Sequence, residues 1–150
     1  MLILSQVGVG KMTLIKAITE TFRHYGKLDI LAKCAMTGIA AVDIRASMLH
    51  SWASIPTSIS KDDDWLDQMT KVLEDKCSAN IQGKEFLIVD EVSMENKATA
   101  YCLSEIIGKS QALEEKAQPH EPYGSMHIIK AGDFHQFPPV SNSTGALYVD

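Results

Sequence analysis

Three separated runs in this 150-residue chain carry side chains suited to a phosphate-bearing ligand. The first is Gly8-Val9-Gly10-Lys11. Glycines let successive backbone N–H groups converge on phosphate oxygens without obstruction, and the lysine adds a mobile positive charge for the β- and γ-phosphates. The second is Asp90-Glu91, directly after the apolar Phe86-Leu87-Ile88-Val89. At a strand end, the first carboxylate can hold Mg²⁺ and its water shell, and the second can orient or deprotonate an attacking water. The third run is Gly132-Asp133-Phe134-His135-Gln136-Phe137-Pro138-Pro139-Val140. A glycine turn and a Pro-Pro brace would fix Gln136, whose amide can hydrogen-bond a terminal phosphate or the lytic water. Taken singly, a G-x-G-K turn is also an ordinary strand-to-helix connection, and an Asp-Glu pair an ordinary solvated strand end. Together they are a strong signal for a nucleotide. His135 reads as a loop histidine, and His24, His120 and His127 form no pattern.

The first run departs from the phosphate-loop signature G-x-x-x-x-G-K-[ST] at both ends. Ser5 stands at the first glycine and Met12 at the hydroxyl. A thioether is a poor ligand for Mg²⁺, which prefers oxygen. Thr13 is an imperfect substitute, because one step along a helix turns a side chain about 100° away. Ser5 costs less, about 1–2 kcal/mol if that backbone is left-handed. A nucleotide is still expected to bind in a cradle of Gly8, Val9, Gly10, Lys11, Met12 and Thr13. Unaided hydrolysis is not expected.

The elements that must position these runs alternate between strand and helix, the pattern of a parallel sheet covered by helices. Met1-Leu2-Ile3-Leu4 reads as a buried strand entering the glycine loop, followed by a helix from Thr13 to about Phe22. A second strand is expected from Leu28 to about Ala35, and Thr37-Gly38-Ile39-Ala40-Ala41 turns into another helix. Asp62-Asp63-Asp64 can cap a helix from Trp65 to about Lys76, whose Trp65, Leu66, Met69, Val72 and Leu73 share one face. Phe86–Val89 is continuously apolar, as in a strand buried on both faces. A helix is expected over Ala98–Ile107, ending at Gly108, and a last strand from Met126 to about Ala131.

Composition limits the alternatives. The chain is 45% hydrophobic and 22% charged, with net charge −5, ordinary for a single globular domain. No apolar run approaches a membrane span, and Met1–Leu4 is too short for a signal peptide. The negative charge argues against a generic basic nucleic-acid patch, although a local channel of backbone amides remains compatible. Cys34, Cys77 and Cys102 are scattered, without zinc spacing, and fit buried thiols in a reducing, intracellular compartment. No internal repeat, low-complexity tract or linker divides the chain.

Lys11 in its loop, Thr37-Gly38-Ile39-Ala40-Ala41, His50-Ser51-Trp52, Asp90-Glu91-Val92-Ser93-Met94 and the Gly132–Val140 run occur in one order. That order resembles the petite-integration-frequency (PIF) family of superfamily-one DNA helicases, which move 5′ to 3′ on single strands. The resemblance spans nearly the whole chain. It implies an α/β fold, a RecA-like lobe of the P-loop NTPase type with a mostly parallel central sheet flanked by helices. It also implies ATP and Mg²⁺ as cofactors, with Lys11 and the Gly8–Gly10 amides on the phosphates and Asp90 on the metal. Glu91 would be the catalytic base and Gln136 the γ-phosphate sensor. Thr37, Gly38, His50 and Trp52 would meet DNA. Phosphate grips of this kind carry no sequence information, and Trp52 reads equally as a stacking platform or a core anchor. The implied partners are single-stranded DNA and duplex junctions, with no membrane and a monomeric state. The implied roles are DNA repair, recombination and telomere maintenance, in the nucleus or mitochondrion.

Met36 stands where that family usually has proline, and Arg45-Ala46 replaces a glycine-rich turn. The chain ends ten residues after Val140. Residues 1–150 are therefore expected to be one lobe, truncated, with the family's second lobe absent and little unwinding activity alone. Two other readings stay open. One is a catalytically inactive, helicase-derived remnant that still binds nucleotide or DNA; Met12 and the expected truncation favour it, whereas intact Asp90, Glu91 and Gln136 oppose it. The other is a different P-loop ATPase, opposed by the Thr37–Ala41 and Gly132–Val140 runs.

Overall fold

A computed structural model describes residues 1–4, 10–55, 78–114 and 121–134. Ser5, Gly8, Val9, Gln136 and the expected Trp65–Lys76 helix lie outside these residues. Among the described residues, five parallel strands form one sheet: β1 (Leu2–Leu4), β2 (Leu31–Ala35), β3 (Ser47–Met48), β4 (Phe86–Asp90) and β5 (His127–Gly132), in the order β1-β5-β4-β2-β3. Between them run helices α1 (Lys11–His24), α2 (Gly38–Asp43), α3 (Leu49–Trp52), α4 (Ser78–Ile81) and α5 (Lys97–Leu113). Among the described residues, no helix is long and apolar enough to cross a membrane.

Period-two alternation divides the core between the two sheet faces. On β4, Leu87 and Val89 join a cluster with Leu49 and Trp52 of α3, Ile81 of α4, and Cys102, Leu103, Ile106 and Ile107 of α5. Ile88 faces the other way, into a smaller cluster with Ile15 of α1, Ala41 of α2, Ile44, Ala35 and Ala131. Both faces are covered, which is why β4 has no polar residue before Asp90.

Among the expected boundaries that move, two do so for reasons plain in the packing. Leu28–Ile30 is a 3₁₀ turn and β2 begins at Leu31, because its partner strand begins at Phe86, opposite Leu31. The Ile30 carbonyl instead accepts from Glu85 N at 2.9 Å. The last long helix does not stop at Gly108; it continues to Leu113 and buries Ser110 and Gln111. Gln111 Nε2 donates to the Lys84 carbonyl at 3.0 Å, an anchor that a helix ending at Gly108 would forgo. Gly108 lies against the 3₁₀ turn Pro122–Ser125, where Gly124 has φ +52°. A Cβ on Gly124 would sit 2.8 Å from Gly108 Cα. The N-terminus of α5 is capped by Asn96, whose side chain accepts from Thr99 N at 2.8 Å.

Candidate functional site

The sheet brings the ends of β2, β4 and β5 to one edge, the edge where open α/β sheets bind ligands. Gly10, at φ +97°, is the N-cap of α1, so the helix starts at Lys11, two residues before the expected position. The left-handed backbone suits a glycine, and it sends the lysine from the first turn toward the strand end. Lys11 Nζ lies 2.7 Å from Glu91 Oε1 and 3.1 Å from Asp90 Oδ1. Two of the three expected chemical runs therefore meet. Burial alone would lower the Lys11 pKa, but Glu91 and Asp90 outweigh it and raise it above its ordinary value.

Asp90 is buried in the last position of β4, and its Oδ1 also accepts from Glu91 N at 2.9 Å. Glu91 then takes φ +58°, ψ +42°. A non-glycine residue held there costs roughly 1–3 kcal/mol, and such residues gather at functional sites. The conformation swings the Glu91 side chain toward Lys11 and starts the 3₁₀ turn Val92–Met94. Gly132, at the end of β5, abuts that turn: a Cβ on it would lie 3.0 Å from Val92 N and 2.9 Å from Val92 Cγ1. No side chain other than hydrogen fits.

Asp90 and Glu91 offer the hard oxygen donors that suit Mg²⁺, and the described residues hold no cluster of three or more His, Cys, Asp or Glu. That is compatible with Mg²⁺, which is typically held by one or two carboxylates with phosphates and waters supplying the rest. Met12 is 38% exposed on the first turn of α1 and offers a thioether, a poor partner for a hard cation. Thr13 is exposed beside it.

Thr37 and Gly38 sit at the same sheet edge. Met36 N donates to the Asp90 carbonyl at 3.2 Å, so the loop leaving β2 is tied to the residue carrying the first carboxylate. Thr37 caps α2 by accepting from Ala40 N at 3.2 Å, and Gly38 is exposed. His50 is half-buried on α3. Trp52 corrects one expectation. It is 7% exposed and packed in the larger core cluster, so its ring offers no face to a base and it is the core anchor. Arg45, in the stretch expected to lack a glycine-rich turn, is left-handed at φ +51°.

A separate cleft of about 590 Å³ between α1, β2 and α2 holds Lys16, Arg23, Lys33 and Arg45. Glu20 and Asp43 line it too, Arg23 pairs with Glu20, and Lys33 donates to the Ile44 carbonyl. Burial, with Arg23 and Arg45 nearby, lowers the Lys33 pKa. None of the expected site residues lines this cleft.

A lysine from a glycine-started helix, bridged to adjacent carboxylates at the end of a buried parallel strand, invites comparison with known proteins. The sequence profile of the PIF1-like helicases matches residues 1–147. The chain belongs to the PIF1-like helicase family. The ATP-dependent DNA helicase RRM3 of Saccharomyces cerevisiae is 29% identical over 138 residues, covering 89% of this chain and 17% of the relative. The crystal structure of Pif1 helicase from Candida albicans matches with TM-score 0.73 and 27% identity, over 94% of this chain and 30% of that one. Bacteroides Pif1 in complex with ADP-AlF4 matches with TM-score 0.74 and 25% identity, over 94% and 30%. These likenesses agree with the RecA-like α/β architecture of the PIF1-like lobe. The chain spans less than a third of each of these relatives.

Sequence reasoning missed one charged pair beside this site. Glu95, just after the Val92–Met94 turn, is completely buried and meets Lys130 of β5 at 2.6 Å. A lysine inside the otherwise apolar β5 run was the available signal.

Proposed function

We propose that this chain is the N-terminal motor lobe of an ATP-dependent DNA helicase, coupling ATP hydrolysis to 5′-to-3′ movement along single-stranded DNA. The observation that carries the reading is Lys11 bridging Asp90 and Glu91 at the sheet edge. In the proposed roles, Lys11 leaves the carboxylates for the β- and γ-phosphates, joined by the amides of Gly8, Val9 and Gly10. Asp90 would hold the Mg²⁺, which would neutralise developing phosphate charge when bound. Glu91, freed of its lysine, accepts a proton from the attacking water. Gln136 hydrogen-bonds the γ-phosphate. Thr37 and Gly38, one residue beyond the Met36–Asp90 backbone bond, grip a DNA phosphate, with His50 nearby. Single-stranded DNA and duplex junctions are the proposed partners, and DNA repair, recombination and telomere maintenance the proposed settings. The second reading, a catalytically inactive remnant that still binds nucleotide or DNA, is favoured by Met12 alone.

The test is ATPase activity with and without single-stranded DNA, on wild type and on Met12→Ser, together with binding of a fluorescent ATP analogue. The motor reading expects nucleotide binding in both, abolished by Lys11→Ala, and DNA-stimulated turnover that rises in Met12→Ser. Binding without turnover in either protein supports the remnant. No nucleotide binding in either protein removes the motor reading and leaves the remnant only as a DNA binder.

A further inference from the structure

We propose that Glu95 and Lys130 form a buried positioning strut that sets the placement of Glu91. The proposal rests on Glu91 acting as the base in the reading above, and its structural half can be measured without that chemistry.

Glu91 holds a backbone conformation that a glutamate rarely adopts unaided, so neighbouring structure must hold it there. Its own turn supplies only short-range bonds, from Met94 N to the Glu91 carbonyl at 3.1 Å and from Glu95 N to the Val92 carbonyl at 3.0 Å. Besides the bond from Lys11 to the Glu91 side chain itself, the turn has a long-range tie through Glu95. Its Oε2 receives Lys130 Nζ at 2.6 Å across 35 residues of sequence. Lys130 is well placed to serve as an anchor. Its backbone lies in register with Val89 on one side, one residue before Asp90, and with Leu2 on the other, in the strand that leads to the glycine loop. Its ammonium also lies 5.8 Å from the centre of the Tyr123 ring. The strut therefore joins the turn after Glu91 to the strand between the two that feed the site.

The pair is poorly built for stability alone. Glu95 is fully buried, and its Oε1 finds no hydrogen-bond partner among the described residues; Ser93 Oγ is likewise unpartnered. Burial pushes the Glu95 carboxyl up against the pull of Lys130. A half-satisfied buried ion pair contributes little that well-packed apolar side chains would not. What it adds is direction, because a carboxylate and an ammonium meet in a narrow range of geometries. Gly132, two residues after Lys130, abuts Val92 and gives the same turn a second contact on β5. Together they leave the turn little room to rotate.

The test uses the full chain with three variants: Lys130→Met, Lys130→Arg, and the double variant Glu95→Leu with Lys130→Met. Amide hydrogen exchange is read at Glu91, Met94 and Glu95, with Thr19 in α1 as reference. The double variant is expected to melt within a few degrees of wild type, since both charges leave together. Its Glu91, Met94 and Glu95 amides should nevertheless exchange at least tenfold faster, with Thr19 unchanged. Lys130→Met should show the same local loss, and Lys130→Arg should stay within threefold of wild type. Wild-type exchange in the double variant overturns the strut, as does acceleration equal at Thr19. Where wild type turns over ATP, the double variant should lose at least tenfold in kcat with KM for ATP within threefold. Unchanged kcat with loosened amides overturns the catalytic half. Absence of nucleotide binding in wild type defeats the proposed function and leaves the exchange result to decide the strut.

Discussion

Replacing Gly132 with alanine isolates the contact between the end of β5 and the turn after Glu91. Gly132 does not have a left-handed φ, so alanine is allowed by the backbone and the whole penalty is contact. The new Cβ would lie 2.9 Å from Val92 Cγ1, 3.0 Å from Val92 N and 3.3 Å from Ser93 N. Carbon atoms settle about 3.5–4.0 Å apart, so the turn must retreat by roughly half an ångström or more. Val92 is fully buried and two of the three atoms are backbone, so no flexible side chain can absorb the shift. Overpacking of this kind costs about 1–3 kcal/mol. Alanine recovers about 0.5–1 kcal/mol of backbone entropy, leaving a net loss of up to about 2.5 kcal/mol. For a domain of this size that is a Tm lower by up to about 10 °C. Gly38→Ala is the control. There the nearest atom to a Cβ is Met48 Sδ at 3.8 Å, so the helix gains up to about 1 kcal/mol with no clash. Melting curves followed by circular dichroism should move in opposite directions. A Gly132→Ala protein that melts at or above wild type would refute the contact argument.

Three further outcomes are expected. Gly124→Ala should lose about 2–4 kcal/mol from a left-handed backbone and a 2.8 Å approach to Gly108 Cα, whereas Gly108→Ala meets nothing closer than 3.9 Å and should gain up to about 1 kcal/mol; urea denaturation of both checks the asymmetry. Burial alone would lower the Lys11 pKa, but the two carboxylates raise it above 10.5, so its ion pairs stabilise the fold fully below pH 10.5 and less as pH rises through the folded value. Wild type should therefore melt above Lys11→Met at neutral pH, with the gap closing in alkali; a gap that does not narrow as the pH rises above 10.5 contradicts the pairing. Burial raises the Cys102 thiol to about 11 and pushes Cys34 higher still, so neither should react with a disulfide reagent until the chain is unfolded, and prompt labelling of either in native protein, read by mass spectrometry, counts against the core assignment.

The site was legible where chemistry and periodicity coincide. Asp90-Glu91 closes an unbroken apolar strand, and Lys11 follows a glycine, so strand-end logic alone brings them to one edge. The core halves of β2, β4 and β5 were legible for the same reason. Leu28–Ile30 looked like strand because its residues suit one, but the paired register with β4 starts only at Leu31 opposite Phe86, and the residues before it close a 3₁₀ turn. Gly108 looked like a helix end because glycine often is one; the deciding interaction, Gln111 with Lys84, joins residues 27 apart. β3 and α3 are two and four residues long, too short to show any period. The Glu95–Lys130 pair was hidden because adjacent residues do not reveal a contact across 35 positions.

The smaller core layer has a consequence for how a signal could cross this lobe. The helix that begins at Lys11 and the helix capped by Thr37 do not merely share a sheet face; Ile15 of the first and Ala41 of the second belong to one cluster, with Leu31, Ala35, Ile44, Ile88 and Ala131. Interiors this closely packed transmit strain, so a shift of one helix disturbs the packing beneath the other. Enlarging Ala41 would therefore be felt at both helix beginnings, a mechanical link between two sites whose residues need never touch.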